Sequence, residues 1–283
     1  MRTERSVGAG IKKIKAVMLY SFLSLYTVIS LYPIYFAIIS SLKSNTEMFI
    51  NPFALPKVFR FENYKRAWEI AHVGTFFKNS VLITLCVTTT LIIVGTMASY
   101  ILARFSFKLK PIVYMYFVMG MMIPVQSTII PIAFNIGTFR LKDSLPALIL
   151  VMTAFSISMT VFILTGFMKG IPKELEESAI IDGCNVFKVY WKIILPMSVP
   201  AIATASIFNF LAAWNDLLFP LIFISKSELM PISYGLLSFF GERQSDYGGV
   251  MAAIVITILP PLIAYVLLQE KVQKGLTAGA VKG

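Results

Sequence analysis

"VLITLCVTTTLIIVGTMASYILA", residues 81–103, runs for 23 residues without one Asp, Glu, Lys or Arg. A helix rises 1.5 Å per residue, so a run of about 20 apolar residues crosses the ~30 Å hydrocarbon core of a bilayer. The block is solidly apolar rather than alternating, which argues for a spanning helix and against a membrane barrel strand. The rest of the chain matches it. Of 283 residues, 57% are hydrophobic and 14% charged, whereas soluble domains carry about 25% charged residues. Mean hydropathy is +0.79.

Working outward, six apolar blocks can be read: Ala16 to Leu42, Val81 to Ala103, Ile112 to Gly137, Leu145 to Gly166, Ile193 to Ile224 and Gly249 to Leu268. The expected fold is an all-α integral membrane protein with six transmembrane helices. The first block is too long for a signal-peptide core and has no A-x-A-like exit, so it reads as a retained span. An even count puts both termini on one side. With that side cytoplasmic, the inner segments hold Arg2, Arg5, Lys12, Lys13 and Lys15, then Arg104, Lys108 and Lys110. Lys169, Lys173, Lys188, Lys192, Lys271, Lys274 and Lys282 complete fifteen of the twenty-five basic residues. That bias follows the positive-inside rule. The net charge of +11 is accordingly read as membrane orientation, not as nucleic-acid binding. Three regions are expected: a cytoplasmic segment 1–15, a permease domain 16–268 and a cytoplasmic tail 269–283. In the first outer loop, Glu62 to Ala71 reads as a short helix lying along the membrane surface.

Two blocks carry breaks. As one straight helix, Ile193 to Ile224 would be about 48 Å long, well beyond the bilayer core, and Pro196, Pro200 and Pro220 are the places where it can bend. The third block contains "MMIPVQSTIIP" (121–131), polar residues between two prolines, as in a helix unwound toward a cavity. Polar groups at membrane depth are the candidates for a substrate path: Gln126, Asn209, Trp214, Asn215 and Asp216. Alternatives stand beside these. Trp214 also suits an interfacial aromatic belt, and Asn215 or Asp216 a helix cap.

Other chemistry is not signalled. The chain has no G-x-x-x-x-G-K-[ST] phosphate loop, no H-E-x-x-H and no G-x-S-x-G, and His72 is its one histidine. Cys86 and Cys184 form neither a disulfide framework nor a zinc pattern. A membrane enzyme such as a lipid-linked transferase would cluster acids, histidines or metal ligands at one face. An ion-driven carrier would place paired charges inside its spans. Neither pattern is found, so transport would draw its energy from elsewhere, with no catalytic, metal or cofactor site in this chain.

One charged passage stands out: "KELEESAIIDGCNVFKVYWKIILP", 173–196, with Glu174, Glu176, Glu177 and Asp182 in nine residues. Pro172 suits a helix start, and carboxylates in the first turn complement the helix dipole. Gly183 breaks the helix, and a second helical pattern follows with Phe187, Tyr190, Trp191 and Ile194 on one broad face. A connector lying on the membrane is the alternative, but anionic lipid repels three carboxylates. The passage therefore reads as a cytoplasmic helix between spans four and five, with Ser178 and Ala179 at a contact face for a partner protein.

The same residues resemble the EAA motif of ABC importer permeases. Glu177, Ser178 and Ala179, then Gly183, then Ile193, Leu195 and Pro196 sit at the motif's spacings, with Ser178 and Cys184 as size-conserving departures. "LPKVFRFENYKRAW", "FFKNSVLITL", "ASYILARFSF", "AAWNDLLFPLIF" and "KGLTAGAVKG" are likewise similar to MalG-type permeases of carbohydrate importers. The resemblance implies a bacterial or archaeal inner-membrane permease paired with a MalF-like second permease. It implies two ATPase subunits carrying ATP and Mg, an external solute-binding protein, and a sugar, an oligosaccharide first, with a polyol, a glycerol-linked phosphate or another small solute as the alternative. The 172–191 loop would couple to the ATPase through Glu177, Ser178, Ala179, Asp182 and Gly183.

Overall fold

The computed structural model describes residues 2–70, 72–242 and 246–280, all of whose regular elements are helical. The last residues of the expected tail, 281–283, and Ala71 at the end of the expected surface helix lie outside the described residues.

Four helices are long and apolar enough to cross a membrane. They lie within α1 (Arg2–Ser41), α4 (Val73–Arg104), α7 (Leu145–Met168) and α14 (Tyr247–Ala280). The expected third and fifth blocks are each a bent pair of helices. In one, α5 (Lys110–Gly120) and α6 (Val125–Thr138) meet at 98°. Pro124 forces the preceding residue out of helical geometry, and its own backbone is extended, so the helix stops at Gly120 and restarts at Val125. The other pair turns by 72° at Ser198, where Val186–Met197 gives way to α11 (Val199–Asn215). Pro200 has no N–H to donate across that turn and its ring crowds the carbonyl four residues back. The structure thus has four to six spans, according to whether each bent pair is counted as one.

The chain divides into two units. The smaller comprises residues 1–71 and 239–256. It contains α2 (Asn45–Ile50) and α3 (Glu62–Lys65), with a wider turn over Arg66–Ile70 continuing α3. Ser44 and Glu47 form a capping box at the start of α2. Asn63 ties the segment together: its Nδ2 donates to the carbonyls of Ser41 (2.7 Å) and Lys43 (2.9 Å). The buried Lys43 ammonium donates to the carbonyls of Asn51 (3.1 Å) and Pro52 (2.8 Å). Burial lowers the pKa of this lysine, against the pull of Glu47.

The larger unit, residues 72–238 and 257–283, carries the sites of interest. Its core is α4 against α7 and α11. Val87 and Leu91 of α4 and Leu148, Val161 and Leu164 of α7 are fully buried. Small residues bring the backbones together, as expected where lipid offers no hydrophobic drive and packing must decide. Gly95 shows how tightly: a Cβ there would lie 2.6 Å from Thr160 Cγ2. Beyond α11 come α12 (Leu218–Phe223) and α13 (Ile232–Glu242). The loop between them is pinned to the start of α4 by Asn79, which donates to the carbonyls of Glu228 (2.8 Å) and Met230 (3.0 Å). It is pinned to the α6–α7 turn by Asp143, whose carboxylate accepts from the backbone N–H of Ser225 and of Lys226 (3.1 Å).

Candidate docking loop and cavity

The loop after α7 begins at Lys169 and enters α8 (Glu174–Ile181) with Glu174, Glu176 and Glu177 in its first turn. Lys173 supplies no side-chain cap, so the carboxylates provide the charge that the helix N-terminus favours. The far end closes as a Schellman turn: the Gly183 N–H reaches the Ile180 carbonyl (3.0 Å) and the Cys184 N–H reaches the Ala179 carbonyl (2.9 Å). Gly183 is the left-handed residue this turn needs, at φ 82°. Asn185 then caps α9 (Val186–Val189), its Oδ1 accepting from the Lys188 N–H at 2.9 Å. This cap follows the Asx N-cap pattern, a signal legible in the sequence.

The predicted docking residues separate by face. Glu177, Ser178, Asp182 and Gly183 are exposed, and Ile181 beside them is 85% exposed. Ala179 points inward, buried with Tyr100, Met168, Val189, Tyr190 and Ile194. Its small side chain lets α8 lie close to the layer beneath. The second helical stretch also departs from expectation. Tyr190 and Ile194 are buried, whereas Phe187 (68%) and Trp191 (57%) are exposed. A π-helical turn over Tyr190–Ile194 shifts the angular register, so the four aromatic and aliphatic positions cannot share one face.

One buried ion pair fastens α8 from below. Arg104 Nε lies 2.5 Å from Glu176 Oε1, the two side chains being 5% and 13% exposed. The Arg104 guanidinium also donates to the Ile171 carbonyl at 2.9 Å. Burial pushes the Glu176 carboxyl up, opposed by the Arg104 charge beside it. In the sequence alone Glu176 is one more first-turn carboxylate. Its signal was an arginine closing a span and an acid opening the next loop helix, a pairing visible only with the chain folded.

The substrate-path candidates fall into two groups. Gln126 of α6 and Asn215 and Asp216 at the end of α11 line a cavity of about 570 Å³, together with Met152, Phe155 and Ser156 of α7. The α7 residues were missed because that block is uniformly apolar on average; Ser156 and Thr160, four apart, were the available trace. Asn209 and Trp214 sit instead in the packing between helices. Asn209 donates to Thr160 Oγ1 at 2.8 Å. The indole N–H of Trp214 donates to the Thr257 carbonyl at 3.1 Å, and its ring stacks on Phe210 with 5.8 Å between centroids. Asp216 does double duty: it borders the cavity while Oδ1 accepts the Leu218 N–H (2.9 Å) at the start of α12.

Among the described residues no three His, Cys, Asp or Glu converge in a way that could hold a metal ion. A family profile described as the binding-protein-dependent transport system inner membrane component matches residues 92–278, spanning both the loop and the cavity. The chain belongs to this transport family. As a binding-protein-dependent transport component it is a multi-pass membrane protein and a transport subunit, not an enzyme. It is 33% identical over 269 residues to the diacetylchitobiose uptake system permease protein NgcG of Streptomyces coelicolor, covering 94% of this chain and 89% of the relative. It is 35% identical to the probable starch degradation products transport system permease protein AmyC of Thermoanaerobacterium thermosulfurigenes, covering 88% and 91%. The fold is shared with a chain of a bacterial ABC transporter involved in import of the acidic polysaccharide alginate. That likeness has a TM-score of 0.78 at 22% identity, covering 91% of this chain and 96% of the other.

Proposed function

We propose that this transport component is one permease half of an ATP-driven importer for an uncharged oligosaccharide. The observation that carries the reading is α8: a short helix held from beneath by Arg104 and closed by Gly183, with Glu177, Ser178 and Asp182 left exposed. Such a knob suits insertion into a cleft on a separate ATPase subunit. Each bent pair is read as one span, giving six, with both termini and α8 in the cytoplasm. Residues 1–15 and 269–283 are then cytoplasmic, and 16–268 form the permease domain around the 172–191 coupling loop. A MalF-like second permease completes the pathway, two ATPase subunits bind ATP and Mg, and an external binding protein delivers the solute.

Transport follows by alternating access. ATP binds the closed ATPase pair more tightly than the open one, and only that difference can shift the membrane helices from one state to the other. The 570 Å³ cavity offers amide, hydroxyl and carboxylate groups beside the Phe155 and Phe219 rings, and among the described residues no Arg or Lys lines it. Those groups suit sugar hydroxyls and ring faces, whereas an anionic substrate would call for guanidinium partners. The named relatives take saccharides, which supports the same substrate class.

The test is to purify the complete complex and measure ATP hydrolysis with binding proteins loaded with different solutes. Stimulation by an oligosaccharide-loaded receptor is expected. Stimulation by a receptor carrying a polyol, a glycerol-linked phosphate or an amino acid instead would overturn the substrate assignment.

A further inference from the structure

Along α4, Thr96, Tyr100 and Arg104 are spaced four residues apart and therefore lie in one row on the helix surface. Every member of that row grips the 169–197 segment. Thr96 Oγ1 and Tyr190 OH are 2.8 Å apart. The Tyr100 ring packs on the Tyr190 ring at 5.3 Å between centroids. Arg104 binds Glu176 of α8 and the Ile171 carbonyl at the exit of α7. Covalently, α8 is joined to α7 only through Lys169 to Lys173, a stretch that includes Gly170. The side-chain row, rather than that short linker, is the stiff connection between α8 and the membrane helices.

We propose that Arg104 is the strut through which α8 drives the spans, locking α8 to the end of α4 so that the two move as one body during transport. This rests on the reading that α8 docks on an ATPase. Three observations favour a permanent strut over an incidental contact. The pair is nearly closed to solvent, so salt and water weaken it little. Separating the partners would strand a buried charge on each side, so the pair stays closed in both transport states. Arg104 also occupies the last turn of α4 and Glu176 the first turn of α8, so each charge complements its own helix dipole as well as its partner. Because α4 packs on α7 and α11, displacement of its end reaches the helices that carry Met152, Ser156 and Asn215 at the cavity. Arg104 acts here as a positioning residue: it touches no solute and no nucleotide.

The experiment uses the complete complex reconstituted in vesicles, comparing wild type, Arg104→Gln, Glu176→Gln and the swapped pair Arg104→Glu with Glu176→Arg. Uptake and binding-protein-stimulated ATP hydrolysis are measured separately. The single variants should lose about tenfold in solute moved per ATP hydrolysed, within the range of coupling between linked sites, while hydrolysis persists. The swapped pair should recover part of that loss, since it restores the ion pair but sets each charge against its own helix dipole. In parallel, spin labels at Ile101 and Ile181, both exposed, report the α4 to α8 separation after Cys86 and Cys184 are replaced by serine. In wild type this separation should be the same without nucleotide and with ATP trapped. An Arg104→Gln complex with wild-type coupling, or a wild-type separation that changes on ATP binding, would overturn the strut. The second measurement decides the matter even where the variants do not assemble. A wild type whose hydrolysis ignores every loaded binding protein would sink the docking reading itself, and the strut with it.

Discussion

Replacing Gly183 by alanine changes the backbone energy of one turn and nothing else nearby. A Cβ placed there meets no atom within 4 Å, so no packing is disturbed. The residue holds φ 82°, however, where a side chain brings Cβ against its own carbonyl at a cost of about 1–2 kcal/mol. Asparagine tolerates the region better, and a β-branched valine tolerates it worse. An eight-residue helix has little stability of its own, so the turn contributes directly to keeping α8 closed. A penalty of that size lowers the closed-to-open ratio about 5- to 30-fold. Hydrogen exchange reads it at two amides, residue 183 and Cys184, which bond the carbonyls of Ile180 and Ala179. Protection should fall in the order Gly, Asn, Ala, Val, and coupled uptake should fall in the same order. Equal protection in the glycine and valine proteins would refute the reasoning, since it would mean that the turn does not depend on the left-handed residue.

Gly95→Ala should destabilise the α4–α7 contact by about 1–3 kcal/mol through overpacking, because the new methyl would sit 2.6 Å from Thr160 Cγ2. Adding Thr160→Ser removes that methyl while keeping the hydroxyl that binds Asn209, so the double variant should regain most of the loss in a thermal unfolding assay. At Asp143, the N–H groups of Ser225 and Lys226 hold the carboxyl below its usual range. A depressed folded pKa gives stability that is present above the unfolded value and lost as pH falls through the folded one. Exchange protection of those two amides should therefore disappear on acidification in wild type, and Asp143→Asn should remove the step. Lys43→Met should remove the two hydrogen bonds to the Asn51 and Pro52 carbonyls, at about 0.5–1.5 kcal/mol for each bond lost. Limited proteolysis should then cut the 44–60 segment faster than in wild type.

Hydropathy and turn chemistry are local properties, and what depended on them could be read from the chain. The apolar blocks, the prolines at the two bends, the acidic start of α8 and the glycine after Asp182 all act through neighbours a few residues away. The structure has helices and breaks at each of them. Block edges were less legible: α4 begins at Val73 and not near Val81, because Phe76 and Ser80 are buried by tertiary packing that no hydropathy window registers.

What only the folded chain decided is which way side chains face and what they meet. Glu176 and Glu177 are adjacent and chemically alike, yet one is buried on Arg104 and the other exposed. The helix turns by about 100° per residue, and only the position of α4 selects the inward carboxylate. Trp214 and Asn215 divide in the same way, the indole into the helix packing and the amide onto the cavity. The sequence by itself determined where polar and charged groups occur along the spans and loops. The packing of α4, α7 and α11 determined which of them line the cavity, which brace α8, and which stay exposed, since burial is a property of neighbours distant in the chain.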